Sequence, residues 1–125
     1  MSELTTMLYR PVGEQELALI VASGYTAFPS RLEWQPIFYP VLNEEYARQI
    51  AVEWTARDGK HGYVTRFAVQ SEYLSRYAVQ RVGSAIHQEY WIPAEELAAF
   101  NEHIVGKIEV IAEYSGDGSS SSAPC

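Results

Sequence analysis

Cysteine is almost absent from this chain. Its one cysteine, Cys125, is the last of 125 residues, so there is no pair for a disulfide and no cysteine cluster for zinc. Small secreted domains commonly depend on several disulfides, and this sequence offers none. We therefore expect a reducing, cytoplasmic setting.

Long apolar runs and basic patches are also missing. No run approaches the roughly 18 apolar residues of a membrane span, and we expect no signal peptide, because the N-terminal residues lack its basic and apolar regions. Nine basic and sixteen acidic residues give a net charge of −7. This balance argues against nonspecific nucleic-acid binding and a polybasic membrane patch, since both need clustered positive charge. An anionic small molecule held by one or two arginines stays compatible with it.

The common motifs of catalytic and cofactor sites are absent as well. The sequence has no phosphate-binding loop, no dinucleotide glycine fingerprint and no histidine pair at zinc-helix spacing. It has no nucleophile elbow either. Gly116 and Gly118 form G-x-G only within a Gly/Ser-rich terminal stretch. We therefore predict no metal site, and any active site must be assembled from dispersed residues.

The length of 125 residues is typical of one domain with a real core. We assign residues 1–114 to this domain and interpret residues 115–125 as a flexible tail, because their Gly/Ser-rich composition cannot build a core. Nine tyrosines and three tryptophans make the chain somewhat rich in aromatic residues. Such residues line ligand pockets or interfaces, but they also fill cores and sheet faces, and composition leaves both alternatives open.

Hydrophobic periodicity predicts alternating strands and helices. Strands are predicted over residues 4–10, 63–70, 77–82, 84–92 and 107–114, helices over 14–22, 43–56 and 94–104, a short extended segment over 36–40 and one helical turn within 71–76. Pro11 is expected to end the first strand, and Asn43 to cap the second helix. The order favours an α+β fold, a single domain with a mixed, mostly antiparallel sheet and about three helices.

The sequence predicts a strand within residues 84–97, ended by Pro93, and the start of a helix directly after it. Alternation places Gln88, Tyr90 and Ile92 (with Ile86) on one face, and His87, Glu89 and Trp91 (with Ala85) on the other. A carboxylate, an imidazole and an indole together make a plausible wall for an organic ligand. The alternative for Glu89 is an ordinary glutamate on a solvated face, and for His87 an ordinary core or surface histidine.

Four further residues complete the candidate site. Tyr9 and Arg10 lie on the first strand, where Arg10 is either a surface charge or an anion clamp suited to phosphate. Tyr39 and Tyr46 lie on either side of the start of the second helix. Each of these signals is weak alone, and none has the specificity of a metal motif.

Four segments resemble a small bacterial protein family that bears the label "ADP-ribosylation/crystallin J1". They are residues 8–13 (LYRPVG), 35–47 (QPIFYPVLNEEYA), 62–67 (GYVTRF) and 87–97 (HQEYWIPAEEL), within a likeness that extends to residue 111. A more distant resemblance, in the order of elements, is to the ADP-ribosyltransferase fold. This resemblance implies NAD as a possible substrate, an ADP-ribosyltransferase-like domain and no metal.

The resemblance also implies roles for individual residues. Arg10 matches the first-strand residue that binds NAD, Tyr39 or Tyr46 the aromatic that stacks on nicotinamide, and Glu89 the catalytic glutamate. His87, two residues earlier, would orient Glu89 or the acceptor, although arginine-directed transferases have Glu or Gln there. The middle motif that contains serine in those enzymes is replaced here by residues 38–40 (FYP).

Two functions follow as hypotheses. The first is a domain that binds NAD or an ADP-ribose-type nucleotide, with mono-ADP-ribosyl transfer or NAD hydrolysis. The second is a noncatalytic acidic binding or interaction domain, with a protein partner, that keeps the fold without the chemistry. The net charge of −7 suits both.

Overall fold

The computed structural model describes residues 4–30, 36–58, 61–83 and 87–114, with no side-chain description for 54–58. The strands are β1 (Thr5–Gly13), β2 (Ile37–Phe38), β3 (Gly62–Gln70), β4 (Val79–Arg81), β5 (Gln88–Tyr90), β6 (Ile92–Pro93) and β7 (Ile104–Tyr114), and the helices are α1 (Glu14–Ala22), α2 (Glu44–Asp58), α3 (Ser71–Leu74) and α4 (Leu97–Glu102), with one 3₁₀ turn over Ala94–Glu96 before α4. The α+β prediction is confirmed. The first residues of the strand predicted over 84–92, namely 84–86, and the tail predicted over 115–125 lie outside the described ranges.

The main sheet has three antiparallel strands in the order β1-β3-β7. β1 pairs with β3 along its whole length, from Thr5 opposite Gln70 to Gly13 opposite Gly62. The prediction that Pro11 ends this strand was wrong. The Tyr9 N–H points away from β3, because it bonds to the Val41 carbonyl instead. By alternation, the backbone nitrogen of Pro11 also faces away from β3. The N–H that proline lacks would therefore not have taken part in the β1–β3 hydrogen bonds.

Two apolar clusters lie on the two faces of this sheet. The larger one includes Leu8, Phe38, Phe67 and Phe100 and is covered by α1, through Ile20, and by α4. The smaller one is formed under α2 by Val41, Ala47, Ala51 and Val64. Successive strand residues point to opposite faces, which is why Leu8 and Tyr9 belong to different clusters. A site near α2 is therefore separated from the main core by the sheet.

The predicted helices are present, and the one predicted over residues 94–104 differs in its bounds. α1 has the predicted bounds, and the Asn43 side-chain oxygen accepts the Tyr46 N–H at 3.2 Å at the start of α2, as its N-cap role requires. The helix predicted over residues 94–104 is shorter, because its first turn is 3₁₀ and β7 already begins at Ile104. Gly106, which has φ +80° inside β7, lies in an irregular part of the β3–β7 pairing. A glycine that adopts this backbone conformation accommodates such a bulge.

Short strands complete the fold. The strand predicted over residues 77–82 is confined to Val79–Arg81 and forms an antiparallel pair with β5. β2 pairs with β6. None of the helices in the described ranges has the length and apolar character that a membrane crossing needs.

Candidate functional site

Val41 joins the first strand to β5. Its backbone exchanges two hydrogen bonds with Tyr9, at 2.9 and 2.8 Å, and it also forms a bridge to Glu89. The neighbouring contacts, Tyr90 N–H to the Pro40 carbonyl and Leu42 N–H to the Gln88 carbonyl, fix this register. Residues that face each other in a ladder project to the same side. Tyr9, Val41 and Glu89 therefore form a row on the α2 side of the structure.

Glu89 is the buried carboxylate of this row, with 9% of its surface exposed. The Tyr46 hydroxyl donates to its Oε1 at 3.1 Å, and the Trp91 indole N–H donates to its Oε2 at 2.7 Å. Each oxygen thus accepts one side-chain hydrogen bond. Because a carboxylate has about four acceptor positions, capacity remains for a ligand donor. Glu89 is therefore not the solvated surface glutamate that the sequence left open.

Tyr46 and His87 support Glu89 from the helix side. Burial, followed by the negative charge of Glu89, raises the pKa of Tyr46 to about 12, so this hydroxyl stays protonated and able to donate at neutral pH. The His87 ring stacks on Tyr46 with centroids 4.5 Å apart, and its Nε2 lies 3.2 Å from Gln49 Oε1. A Cβ atom at Gly83 would lie 2.5 Å from His87 Nδ1, so the backbone at Gly83 passes close to this ring.

A cleft of about 390 Å³ opens beside Glu89. Its lining combines aromatic, aliphatic and charged residues: Arg10, Pro11, Tyr39, Val41, Ile50, Glu89 and Trp91. Tyr39 and Trp91 meet edge to face, with centroids 6.5 Å apart and ring planes at 85°. The volume lies within the range of roughly 300–1,000 Å³ that small-molecule pockets have.

The structure brings the predicted residues together to different degrees. Arg10, Tyr39 and Glu89 line the cleft directly, with Trp91 beside them. Tyr46 reaches the site through its hydrogen bond to Glu89, and His87 through its stacking on Tyr46. Tyr9 packs against the smaller apolar cluster under α2.

Arg10 is held by an internal anion. It is only 8% exposed, and its Nε and Nη2 donate to the two carboxylate oxygens of Glu16 at 2.7 and 3.0 Å. Nη1 lies 3.5 Å from the Tyr39 carbonyl oxygen, and the guanidinium sits 4.6 Å from the centroid of the Phe38 ring. This two-point pair occupies the Nε–Nη2 edge of the guanidinium and compensates its charge, which weakens its attraction for a phosphate. Arg10 follows Tyr9, so its side chain leaves β1 on the face opposite to that of Tyr9, although Arg10 is still part of the cleft lining.

Sequence reasoning missed Glu16, Pro11, Val41 and Ile50 as parts of this region. Glu16 had a signal, because it is an acidic residue in the first turn of a helix that directly follows the strand of Arg10. Val41 and Ile50 had none, since aliphatic residues in any element look alike in sequence.

Among the described residues, no group of three or more His, Cys, Asp or Glu side chains converges closely enough to hold an ion. The described lining of the cleft offers one carboxylate, two aromatic rings and an arginine that is already paired.

No protein-family model matches this sequence, and no curated protein matches it. The resemblance to the "ADP-ribosylation/crystallin J1" family therefore stays a prediction.

Proposed function

We propose that this domain binds a nucleotide of the NAD or ADP-ribose type, with the ribosyl–nicotinamide end in the cleft beside Glu89. The observation that supports this is the Glu89 carboxylate, which is buried, held by Tyr46 and Trp91 and located in the wall of the cleft. Its remaining acceptor positions suit the hydroxyl groups of a ribose. The exposed rings of Tyr39 and Trp91 suit a planar heterocycle.

The chemistry of the proposal is the loss of nicotinamide from the ribose of NAD. The bond from the ribose carbon to the nicotinamide nitrogen breaks, its electron pair leaves with nicotinamide, and positive charge develops on the ribose. A fixed anion next to that charge lowers the barrier, because the site needs no rearrangement when the charge appears. Attack by water on the ribose, with loss of one proton to solvent, would complete NAD hydrolysis. Attack by a protein side chain, which also gives up its proton, would complete mono-ADP-ribosyl transfer.

His87 and Tyr46 act as positioning residues in this scheme. Tyr46 holds Glu89 Oε1, and His87 stacks on Tyr46. The setting is cytoplasmic, as the sequence predicts, and no step involves a metal.

A second function is favoured by one specific observation, the pairing of Arg10 with Glu16. Arg10 is the one cation among the described residues that line the cleft, and its charge is already compensated. A diphosphate that approached the remaining Nη1–Nη2 edge would meet a charge that Glu16 already compensates. The alternative is therefore a noncatalytic acidic binding domain that keeps the fold without the transfer chemistry and works through a protein partner.

Calorimetry and product analysis separate these functions. NAD is titrated into the wild-type protein, and nicotinamide release is followed by chromatography, with Glu89→Gln and Arg10→Ala as variants and the exposed Glu95→Gln as the control. Saturable binding with nicotinamide release that Glu89→Gln abolishes, while Glu95→Gln keeps it, is the expected result. Binding without release supports the noncatalytic domain. No binding at millimolar NAD overturns the nucleotide proposal.

A further inference from the structure

The charge of the cleft differs from that of a phosphate site. Its lining includes one anion, Glu89, and one cation, Arg10. The Arg10–Glu16 pair is neutral as a unit, and both of its partners are largely shielded from water, with 9% and 19% of their side-chain surfaces exposed. No described residue forms a salt bridge with Glu89. Among the described residues of the lining, the charge without an ion-pair partner is therefore the Glu89 carboxylate, which attracts cations and repels anions.

Two aromatic side chains line the cleft. Tyr39 and Trp91 are 42% and 43% exposed, and their rings meet edge to face at its wall. The negative face of an aromatic ring attracts a cation, most strongly for tryptophan. The indole N–H of Trp91 is bonded to Glu89, which fixes the orientation of the ring next to the carboxylate.

The rest of the lining is aliphatic. Pro11, Val41 and Ile50 offer no polar side-chain group to the ligand. A bare ammonium or a metal ion needs several oxygen ligands to replace its water shell, and a single carboxylate does not supply them. A cation that carries methyl groups loses less hydration and gains contact with these apolar side chains.

We propose that the cleft is a binding site for an N-methylated or quaternary ammonium ion, held between the rings of Tyr39 and Trp91 and the Glu89 carboxylate. This proposal goes beyond nucleotide binding, because the ligand needs neither ribose nor phosphate. It uses the same cleft, so such a cation competes with any NAD that binds there.

Choline and its neutral isostere 3,3-dimethyl-1-butanol test the role of the charge. The two molecules have nearly the same shape and differ in the positive nitrogen. Calorimetry on the full chain should give saturable choline binding and affinity for the isostere that is lower by about tenfold or more, the scale of a desolvated cation–π contact. Equal affinity for both, or no choline binding at about 10 mM, a Kd that corresponds to about −2.7 kcal/mol, overturns the proposal.

Variants locate the site. Glu89→Gln and Trp91→Leu should each weaken choline binding by about tenfold, whereas Trp91→Phe, which keeps a ring, should weaken it less and guards against loss of fold. Glu95→Gln, the exposed control, should bind choline like the wild type. Choline binding that survives both Glu89→Gln and Trp91→Leu places the cation elsewhere and contradicts the assignment.

NAD and ADP-ribose in the same series keep the two proposals distinguishable. Choline binding without NAD binding supports the cation site and overturns the nucleotide function. Equal binding of NAD and ADP-ribose without choline binding supports the nucleotide function and overturns the cation site. If none of the three ligands binds, both proposals fail.

Discussion

Removing Glu16 should reveal how strongly this chain depends on a buried ion pair next to the cleft. Glu16→Ala leaves the Arg10 guanidinium in a site that is 8% exposed. Its remaining neighbours are the Tyr39 carbonyl oxygen at 3.5 Å, at the limit of a hydrogen bond, and the Phe38 ring. Neither of them compensates a full positive charge, so the folded state bears the cost of an unpaired buried cation.

The size of the effect follows from the burial of the pair. Breaking a buried ion pair by removing one partner typically costs about 3–5 kcal/mol. Because 19% of the Glu16 side chain is exposed, some water can reach the vacated position, and the lower end of that range applies. A loss of about 3 kcal/mol in the free energy of unfolding lowers the melting temperature of a domain of this size by about 12 °C, at about 4 °C per kcal/mol.

A double-mutant cycle in urea isolates the pair. Glu16→Ala, Arg10→Met and the double variant are compared by equilibrium unfolding. Arg10→Met keeps an unbranched chain over Phe38 and removes the charge. The double variant should be less destabilised than the sum of the single variants by about 2 kcal/mol, since residues in direct contact couple on this scale.

The chain supplies its own control pair. Arg48 and Glu44 also form a two-residue ion pair, but their side chains are 38% and 39% exposed. Glu44→Ala should therefore cost less than about 1 kcal/mol. If Glu16→Ala costs no more than Glu44→Ala, the pair does not stabilise Arg10, and the argument that the charge of Arg10 is compensated inside the cleft is refuted.

Three further predictions concern the supports of the site. Gly83→Ala should displace the His87 ring, because the new Cβ would lie 2.5 Å from Nδ1; NMR signals of the ring that stay at their wild-type positions would contradict this. Thr65→Val should cost about 1 kcal/mol in urea unfolding, since the buried hydroxyl donates to the Arg10 carbonyl at 2.8 Å; an unchanged midpoint would argue against it. The pKa of Tyr46 is near 10 in the unfolded chain and about 12 in the folded one, so the free energy of unfolding should fall between about pH 10 and 12, where only the unfolded chain ionises. Tyr46→Phe should make this fall with pH less steep. An equal slope in the variant and the wild type would refute the assigned pKa.

The sequence was most informative where a local period determines the structure. Alternation along residues 87–92 correctly separated Tyr90 and Ile92, which are buried in the main core, from Glu89 and Trp91. It also placed Glu89 and Trp91 two residues apart on one face, which is the distance at which the indole N–H reaches the carboxylate. Periodicity is a property of the chain itself, so no tertiary contact was needed for these predictions.

Other features depend on contacts between distant parts of the chain. Tyr46 donates to Glu89 from 43 residues away, and Val41 bridges Tyr9 and Glu89 although it lies in no named strand. The position of Pro11 within β1 depends on which side of the strand carries the β3 ladder. Local propensity carries no information about contacts between distant residues. The sequence could therefore identify the candidate residues but could not predict how they are arranged in space.

Arg10 shows how a long-range contact changes the expected ligand. As an isolated residue in a strand, it suggested either a surface charge or an anion clamp. The turn at Gly13 leads directly from β1 into α1, so Glu16, six residues later, returns to the guanidinium and binds it at two points. The same sequence that supplies a candidate phosphate ligand thus also supplies the anion that occupies it. What remains in the cleft is the negative charge of Glu89 between aromatic rings, and this favours the positively charged part of any ligand over its phosphates.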